Sequence, residues 1–333
     1  MTARRVAPIL RRGVGFTLWT GGDMREVLDG PTSSLLAETR PDIVTVHCGP
    51  DRLIAAAAAI IAKVRQLVPG VRIHVGIGCD FWIAKATESG GTDAAIQRVI
   101  DELLLAVKLA YDCGAECVTF DAEAACKLNS LVTHKISTRL LRVCRDRYPT
   151  MVFGHTAYDH PTLHGDDVDG IYDDGHTRGE YDWRGWTGDE GVDLEEWQNY
   201  VAPPEGLAPK GAIAARVRSS DASVRVAVSK GWVRSDLQLV RYFQLHHTSF
   251  VEIASASVLA PIVKGWCGPF IPRGRMDESG AWGFRAMCVL ERAGIRIGGG
   301  IEAFQRTHGL DVDGRAGRKT LALLGLDVPV GVV

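Results

Sequence analysis

Hydrophobic positions along roughly the first 270 residues fall into two alternating kinds of run. Short, mainly apolar and β-branched runs are typical of strands that are buried on both faces. Eight such runs predict strands, at residues 15–19, 43–47, 72–77, 117–121, 151–155, 196–201, 239–244 and 261–266.

The segments between these runs carry apolar residues at three- and four-residue steps, which predicts amphipathic helices. The clearest helix covers residues 93–113, where Thr92 can cap the start and Gly114 suits the position just past the end. Further helices are predicted at 51–68, 138–147 and 215–233.

Strands that alternate with helices in this number predict an α/β fold, a (β/α)8 TIM-like barrel. A doubly wound open sheet is the main alternative. No Gly-x-Gly-x-x-Gly follows the first strand, which counts against a dinucleotide-binding sheet.

The composition shifts to Pro, Gly and charged residues around 268–280, which is typical of a linker. We therefore predict a barrel over 1–270, a linker over 271–280 and a small all-α three-helix module over 281–333. The helices of that module are predicted at 281–293, 301–308 and 318–324. Residues 159–193 show no clear period and are predicted to form a long loop over one end of the barrel.

Composition narrows the class of protein. Of the 333 residues, 46% are hydrophobic and 23% charged, which excludes a largely disordered chain. The net charge of −2 leaves no broad basic surface, so no nucleic-acid partner is expected. No apolar run approaches the ~18–20 residues of a membrane span and no signal-peptide core is present, so neither insertion nor secretion is expected. The eight cysteines mostly accompany apolar runs and are predicted to be reduced, buried thiols.

The most specific pattern in the chain lies at 303–324 and reads Phe-Gln, Gly-Leu, Asp-Gly, Gly, Thr and then a leucine-rich run. Gly309 can end a helix with a positive φ, and Asp313-Gly314 suits a tight turn. Over about 282–326 the chain resembles the three-helix peptidoglycan-binding module. The resemblance implies bacterial peptidoglycan as the partner. The module residues that match are Phe304, Gln305, Asp313 and Thr320.

The strongest catalytic candidates are two carboxylates at the end of the predicted fourth strand. Asp121 and Glu123 are two positions apart, so they point to the same side of an extended chain. In a barrel that side is the interior, at the carboxyl-terminal rim where active sites are built. Glycoside hydrolysis needs such a pair. We predict Glu123 as the general acid, and Asp121 as the group that orients it and stabilises developing positive charge.

An Asp-x-Glu in this place resembles two barrel families that cleave amino-sugar polymers, the muramidases of phage endolysins and the chitinase-like enzymes. The chitinase pattern has aspartates where this chain has Thr119 and Glu116, and the muramidase pattern has an Asp on the first strand, which here reads 15–19 Gly-Phe-Thr-Leu-Trp. The resemblance implies a glycosidase of the peptidoglycan glycan strand that needs no cofactor and no metal.

Other predicted strand ends carry aromatic and hydrogen-bonding groups, as sugar-binding clefts do. His47 is one of these groups. The predicted substrate-binding residues are Asp80, Trp82, His155, Tyr158, Gln198, Tyr200, His246 and Trp266. Asp80 or Asp51 is a candidate second carboxylate across the barrel mouth.

Two other readings stay open. His155, Asp159, His160 and His164 lie within ten residues, and zinc amidases or peptidases of the cell wall use histidines with a carboxylate, although this spacing matches no zinc signature. A protein that only binds the wall is the other alternative. The expectation that fits best is an endolysin-type hydrolase that accumulates in the host cytoplasm and acts on the wall after release. The oligomeric state is not predicted.

Overall fold

The structure is a computed structural model of the 333-residue chain. It describes residues 13–19, 30–122, 130–157, 185–186, 188, 190–197, 221–222, 224–225, 228–245, 248–255, 261–263, 267–270, 278–295, 299–314 and 316–327. The strands within these ranges are β1 Gly13–Trp19, β2 Ile43–Cys48, β3 Arg72–Gly78, β4 Cys117–Asp121, β5 Val152–Ala157, β6 Leu194–Trp197, β7 Gln238–Leu245, β8 Thr248–Ser255, β9 Pro261–Val263 and β10 Cys267–Phe270.

Parallel pairing dominates the sheet. Strands β1 to β7 pair with one another in chain order, and β10 returns to pair with β1, also in parallel. Strand β8 pairs antiparallel with β7 and contacts β10, so it bridges the two ends of the parallel row. The described strands therefore give a row of eight parallel strands with helices outside it, which confirms the predicted α/β, TIM-like barrel.

The last part of the barrel differs from the prediction. The run 261–266 was predicted as the eighth barrel strand, but β9 is a short strand that pairs antiparallel with β8. The eighth parallel strand is β10, and β8 was not predicted. Only two residues, His246 and His247, separate β7 from β8 in the chain. They lack the Gly or Asn that usually signals a tight hairpin, so the sequence gives no sign of the reversal.

The helices are α1 Pro31–Thr39, α2 Pro50–Leu67, α3 Asp80–Glu88, α4 Asp93–Asp112, α5 Ser130–Arg147, α6 Glu278–Arg292, α7 Gly299–Thr307 and α8 Arg318–Ala322. Contacts run from α6 to α1, from α1 to α2, from α2 to α4 and from α4 to α5, following the order of the strands they cover. Helices α1 and α3 were not predicted. Of the helix predicted over 215–233, the described residues 221–222, 224–225 and 228–229 are helical, whereas 230–233 form turns and bends, so the helix does not reach its predicted end.

Helix α4 shows how the local sequence sets an element. Thr92 Oγ1 accepts a hydrogen bond from the backbone N–H of Ala95, and Gly114 takes a φ of +73°, so both predicted ends are confirmed. The apolar stripe of α4 is buried, with Ile96, Val107 and Leu103 fully covered. The main core lies here, between the outer face of the strands and the helices.

Helix α6 was predicted as the first helix of the C-terminal module, but its described contacts are with the barrel. Phe284 packs edge-on against Phe16 of β1, with ring centroids 4.9 Å apart. Arg285 donates two hydrogen bonds to Glu38, and Arg292 donates to the carbonyl oxygen of Thr39. The boundary at residues 271–280 stays a prediction, and these contacts favour a boundary after α6 instead.

The predicted state of the thiols holds for those that the structure describes. Cys79, Cys117, Cys144 and Cys288 are buried and form no disulfide, and Cys113 is partly buried and also free. None of the described helices combines the length and the hydropathy that crossing a bilayer requires.

Candidate active site

The two faces of the sheet differ in polarity. Because Phe16 contacts Phe284 of the outer helix α6, its neighbour Thr17 points to the inner side of the barrel. Following the pairing register from Thr17 gives the inward-facing residues of the next strands. The polar ones are Thr17, Thr45, His47, Arg72, His74, Cys117, Thr119, Asp121, Thr156, Glu196 and Gln238.

Negative charge in this inner polar set lies at one end. Arg72 lies at the other end, at the start of β3. Burial lowers the pKa of His74 to about 3, with the charge of Arg72 adding to the effect, so this histidine is neutral at neutral pH. Burial likewise raises the pKa of the Cys117 thiol well above its ordinary value. The carboxylates, Asp121 and Glu196, lie at or next to the last residue of their strands. They therefore gather at the carboxyl-terminal rim, where barrel active sites lie.

Asp121 is held by a histidine from a strand that is not its neighbour. His47 Nε2 on β2 lies 3.0 Å from Asp121 Oδ2 on β4, with side-chain exposures of 12% and 9%. A carboxylate only accepts, so this approach requires a proton on Nε2 when Asp121 is ionised. The other oxygen, Asp121 Oδ1, is buried and accepts no hydrogen bond from a described residue. Since a buried carboxylate is costly without partners, its retention here favours a functional role.

Glycine makes this contact possible. Strand β3 lies between β2 and β4, and its inward positions after His74 are Gly76 and Gly78. A Cβ added to Gly76 would lie 2.1 Å from His47 Cδ2, so the imidazole ring occupies the space that a side chain on β3 would fill. The two glycines thus let His47 reach across β3 to Asp121.

A second carboxylate lies in the same layer of the barrel. Asp121 is paired with Thr156 of β5, and Thr156 is paired with Glu196 of β6. Thr156 Oγ1 donates a hydrogen bond of 2.8 Å to Glu196 Oε2. Glu196 was not predicted, because the sixth strand was expected to begin at residue 196 whereas it spans Leu194–Trp197. The signal available in the sequence was that Leu194 and Glu196, two positions apart, lie on the same face of an extended segment.

Asp80 and Trp82 lie directly after β3, in the first turn of α3, so both follow a strand end as predicted. The backbone N–H of Cys79 donates to the carbonyl oxygen of Asp121, which ties this turn to the end of β4. Trp82 is partly buried, whereas its neighbour Phe81 is 59% exposed and meets it edge-on. Lys85 lies over both rings. Among the described aromatic residues of this turn, the exposed one is thus Phe81, which was not predicted.

His155 does not join the site, which corrects its predicted role in substrate binding. It alternates with the inward-facing Thr156 and therefore points to the outer side of β5. Its side chain is fully buried and stacks on Trp186, with ring centroids 4.4 Å apart. A contact with substrate is excluded by that burial.

Several predicted residues lie outside the described part of the chain. They are the catalytic candidate Glu123, the substrate-binding candidates Tyr158, Gln198, Tyr200, His246 and Trp266, and three members of the histidine group, Asp159, His160 and His164. Among the described residues, no three His, Cys, Asp or Glu side chains are placed to share a metal ion. Asp51, the other candidate second carboxylate, is exposed in the first turn of α2.

The polar residues that match the pattern of the C-terminal module form one internal network. Gln305 is 2% exposed and donates from Nε2 to Asp313 Oδ1 and Thr320 Oγ1. Its Oε1 accepts from the backbone N–H groups of Asp313 and Gly314. Gly309 and Gly314 take φ values of +66° and +73°, as the predicted helix end and turn require. The contacts of Gln305, Asp313 and Thr320 hold the loop between α7 and α8 in shape, so their role is structural.

We expect Gln305→Ala to destabilise this module by about 1–3 kcal/mol, because two partly buried backbone N–H groups lose their acceptor, and Asp313 and Thr320 lose a donor. The measurement is thermal or urea unfolding of the full chain followed by probes near the C-terminus. Arg306→Ala, at an exposed neighbouring position on α7, is the matched control and should stay within about 0.5 kcal/mol of wild type. Equal stability of the two variants would contradict the structural role of Gln305.

Comparisons with known proteins agree with part of this picture. Residues 299–324, which contain α7 and α8, match the family described as "Putative peptidoglycan binding domain". That match supports peptidoglycan as the partner of the module, and its start after α6 agrees with the barrel contacts of that helix. No curated protein sequence matches the chain.

Solved structures that resemble the chain include several glycoside hydrolases. A GH18 chitinase from Cycas revoluta in complex with (GlcNAc)3 is 15% identical, with a TM-score of 0.44 over 68% of each chain. A class V chitinase from Pseudomonas fluorescens Pf-5 is 14% identical, with a TM-score of 0.42 over 68% of this chain and 69% of the other. The spore cortex-lytic enzyme SleL from Bacillus megaterium is 11% identical, with a TM-score of 0.40 over 70% of this chain and 51% of the other.

Proposed function

We propose that the protein is a glycoside hydrolase that cuts the glycan strand of bacterial peptidoglycan and is held on the wall by its C-terminal module. The observation that carries the proposal is the buried carboxylate of Asp121 at the inner, carboxyl-terminal rim of the barrel, 3.0 Å from His47. The family match over 299–324 supports peptidoglycan as the polymer that the protein acts on. A module that binds the wall raises the local concentration of the enzyme at its substrate without adding chemistry.

In this proposal Glu123 is the general acid and protonates the oxygen of the leaving sugar. Asp121 stabilises the positive charge that develops on the ring carbon and oxygen as the glycosidic bond breaks. His47 fixes one oxygen of Asp121, so the carboxylate needs little reorganisation during the reaction. Asp80 and the aromatic pair Phe81 and Trp82 are suited to bind sugar rings at the same rim.

The finer form of the proposal is a muramidase with an endolysin-type role, made in the cytoplasm and active on the wall once the inner membrane is breached. Cleavage after muramic acid leaves N-acetylmuramic acid at the new reducing ends, whereas a glucosaminidase leaves N-acetylglucosamine.

The endolysin-type role predicts that expression in a bacterium causes lysis only when the inner membrane is permeabilised.

The test is digestion of purified sacculi, with assay of reducing ends and mass spectrometry of the products. The wild-type protein should generate new reducing ends, and Glu123→Gln should lower that rate by about 10²–10⁴-fold while still sedimenting with the sacculi. Glu88→Gln, an exposed carboxylate at the end of α3, should retain full activity.

Other products would overturn the proposal. Release of free amines or lactoyl-peptides that stops with a chelator would identify a zinc amidase. Sedimentation with sacculi and no released product would identify a protein that only binds the wall.

A further inference from the structure

We propose that Glu196 is the second carboxylate of this site, the base that removes a proton from the water that attacks the sugar. The inference rests on the proposed glycosidase function and adds a carboxylate to the proposed pair of Asp121 and Glu123. Three observations carry it, namely the register of Glu196, its hydrogen bond and the direction in which Asp121 is held.

The strand register places Glu196 in the same layer of the barrel as Asp121, the proposed charge-stabilising group. Asp121, Thr156 and Glu196 are consecutive partners across β4, β5 and β6, and all three face the interior. Neighbouring strands are about 4.8 Å apart, so the backbones that carry the two carboxylates are separated by roughly 9–10 Å. The reacting carbon of a sugar and a water molecule fit between side chains that start from such a spacing.

The local contacts hold each carboxylate on the side of the preceding strands. Asp121 lies against His47 of β2, away from β5. Glu196 accepts a hydrogen bond from Thr156, which is 8% exposed and so fixed in its surroundings. A hydroxyl that donates to Glu196 suits an ionised carboxylate, which is the form that a base must have. Thr156 therefore positions Glu196, and Glu196 is the group that contacts the water.

The step balances with groups that the proposal names. The water oxygen bonds to the anomeric carbon while Glu196 takes one of its protons, and the bond from that carbon to the leaving oxygen breaks. The leaving oxygen receives a proton from the general acid, Glu123. Both carboxyl groups then exchange a proton with solvent. Because the water attacks from the side opposite the leaving group, the product has the inverted anomeric configuration.

The experiment compares purified full-length Glu196→Gln with wild type on sacculi, measuring kcat, KM and the anomeric configuration of fresh products by NMR. We expect kcat to fall by about 10²–10⁴-fold with KM nearly unchanged, and the limb of the pH profile that reports a base to disappear. Sodium azide should restore part of the rate in Glu196→Ala, because the azide anion can attack the anomeric carbon in place of water and needs no base to remove a proton. Glu190→Gln, an exposed carboxylate paired with Arg142, should behave as wild type.

A second pair of variants tests the inference if Glu196→Gln does not fold. Thr156→Val removes the hydroxyl at nearly constant volume and should lower kcat by about tenfold, whereas Thr156→Ser keeps the donor and should retain most activity. Full activity of a folded Glu196→Gln, or products that retain configuration, would overturn this inference and leave the glycosidase proposal intact if Glu123→Gln is inactive. No reducing ends from the wild-type protein would instead overturn the proposed function itself.

Discussion

Asp121→Asn is expected to slow the release of reducing ends from sacculi by about 10³-fold, without loss of wall binding. The substitution keeps the size and shape of the side chain but removes the negative charge that would face the developing positive charge of the sugar. Since the side chain is only 9% exposed, little solvent is present to take over that role. The measurement is kcat on purified sacculi, with sedimentation as the separate readout of the C-terminal module.

The design of this test separates chemistry from folding. Asp101→Asn is the matched control, because Asp101 is exposed on α4 and its carboxylate accepts a hydrogen bond only from Gln97 among the bonds described for it. Both variants should keep the far-ultraviolet circular dichroism of wild type. Wild-type activity in a folded Asp121→Asn would contradict the assignment of the carboxyl-terminal rim as the reaction centre.

The sequence was sufficient for the architecture because the strands of a parallel barrel are buried on both faces. Their apolar runs stand out, so β4 was predicted with its observed ends, Cys117 and Asp121, and β2 and β3 to within one residue. The prediction failed where strand pairing depends on segments that are distant in the sequence. Nothing local to β10 shows that it, and not the 261–266 run, returns to β1.

The site was only partly predictable for a related reason. The residues of one strand can be assigned to a face by counting, which placed Asp121 correctly on the inner side. Relations between strands depend on register, which a single sequence does not reveal. His47 meets Asp121 across an intervening strand, and Glu196 joins the same layer only because β6 begins two residues earlier than predicted. His155 was assigned to the site because it stood at the end of the predicted strand, but the inward position on β5 is Thr156, so His155 lies on the other face.

The same dependence on register makes Gly76 a sensitive position, and Gly76→Ala is the second substitution for which we expect a large effect. The added methyl would lie 2.1 Å from His47 Cδ2 and 2.9 Å from Cγ, so the imidazole must rotate away. The contact with Asp121 is then lost. We expect the free energy of unfolding to fall by about 1–3 kcal/mol and kcat to fall at least tenfold.

A double substitution shows whether the ring is the cause. In Gly76→Ala combined with His47→Ala the ring is gone and the methyl meets only the Cβ of residue 47, at 3.2 Å. Stability should therefore recover in part relative to Gly76→Ala alone, while activity should not recover because Asp121 still lacks its partner. Gly49→Ala is the control, since a Cβ there meets nothing within 4 Å. Denaturant unfolding and kcat on sacculi give the two readouts. Strictly additive losses in the double variant would show that Gly76 and His47 act independently, and the bridge from β2 to β4 would then have no part in holding the catalytic carboxylate.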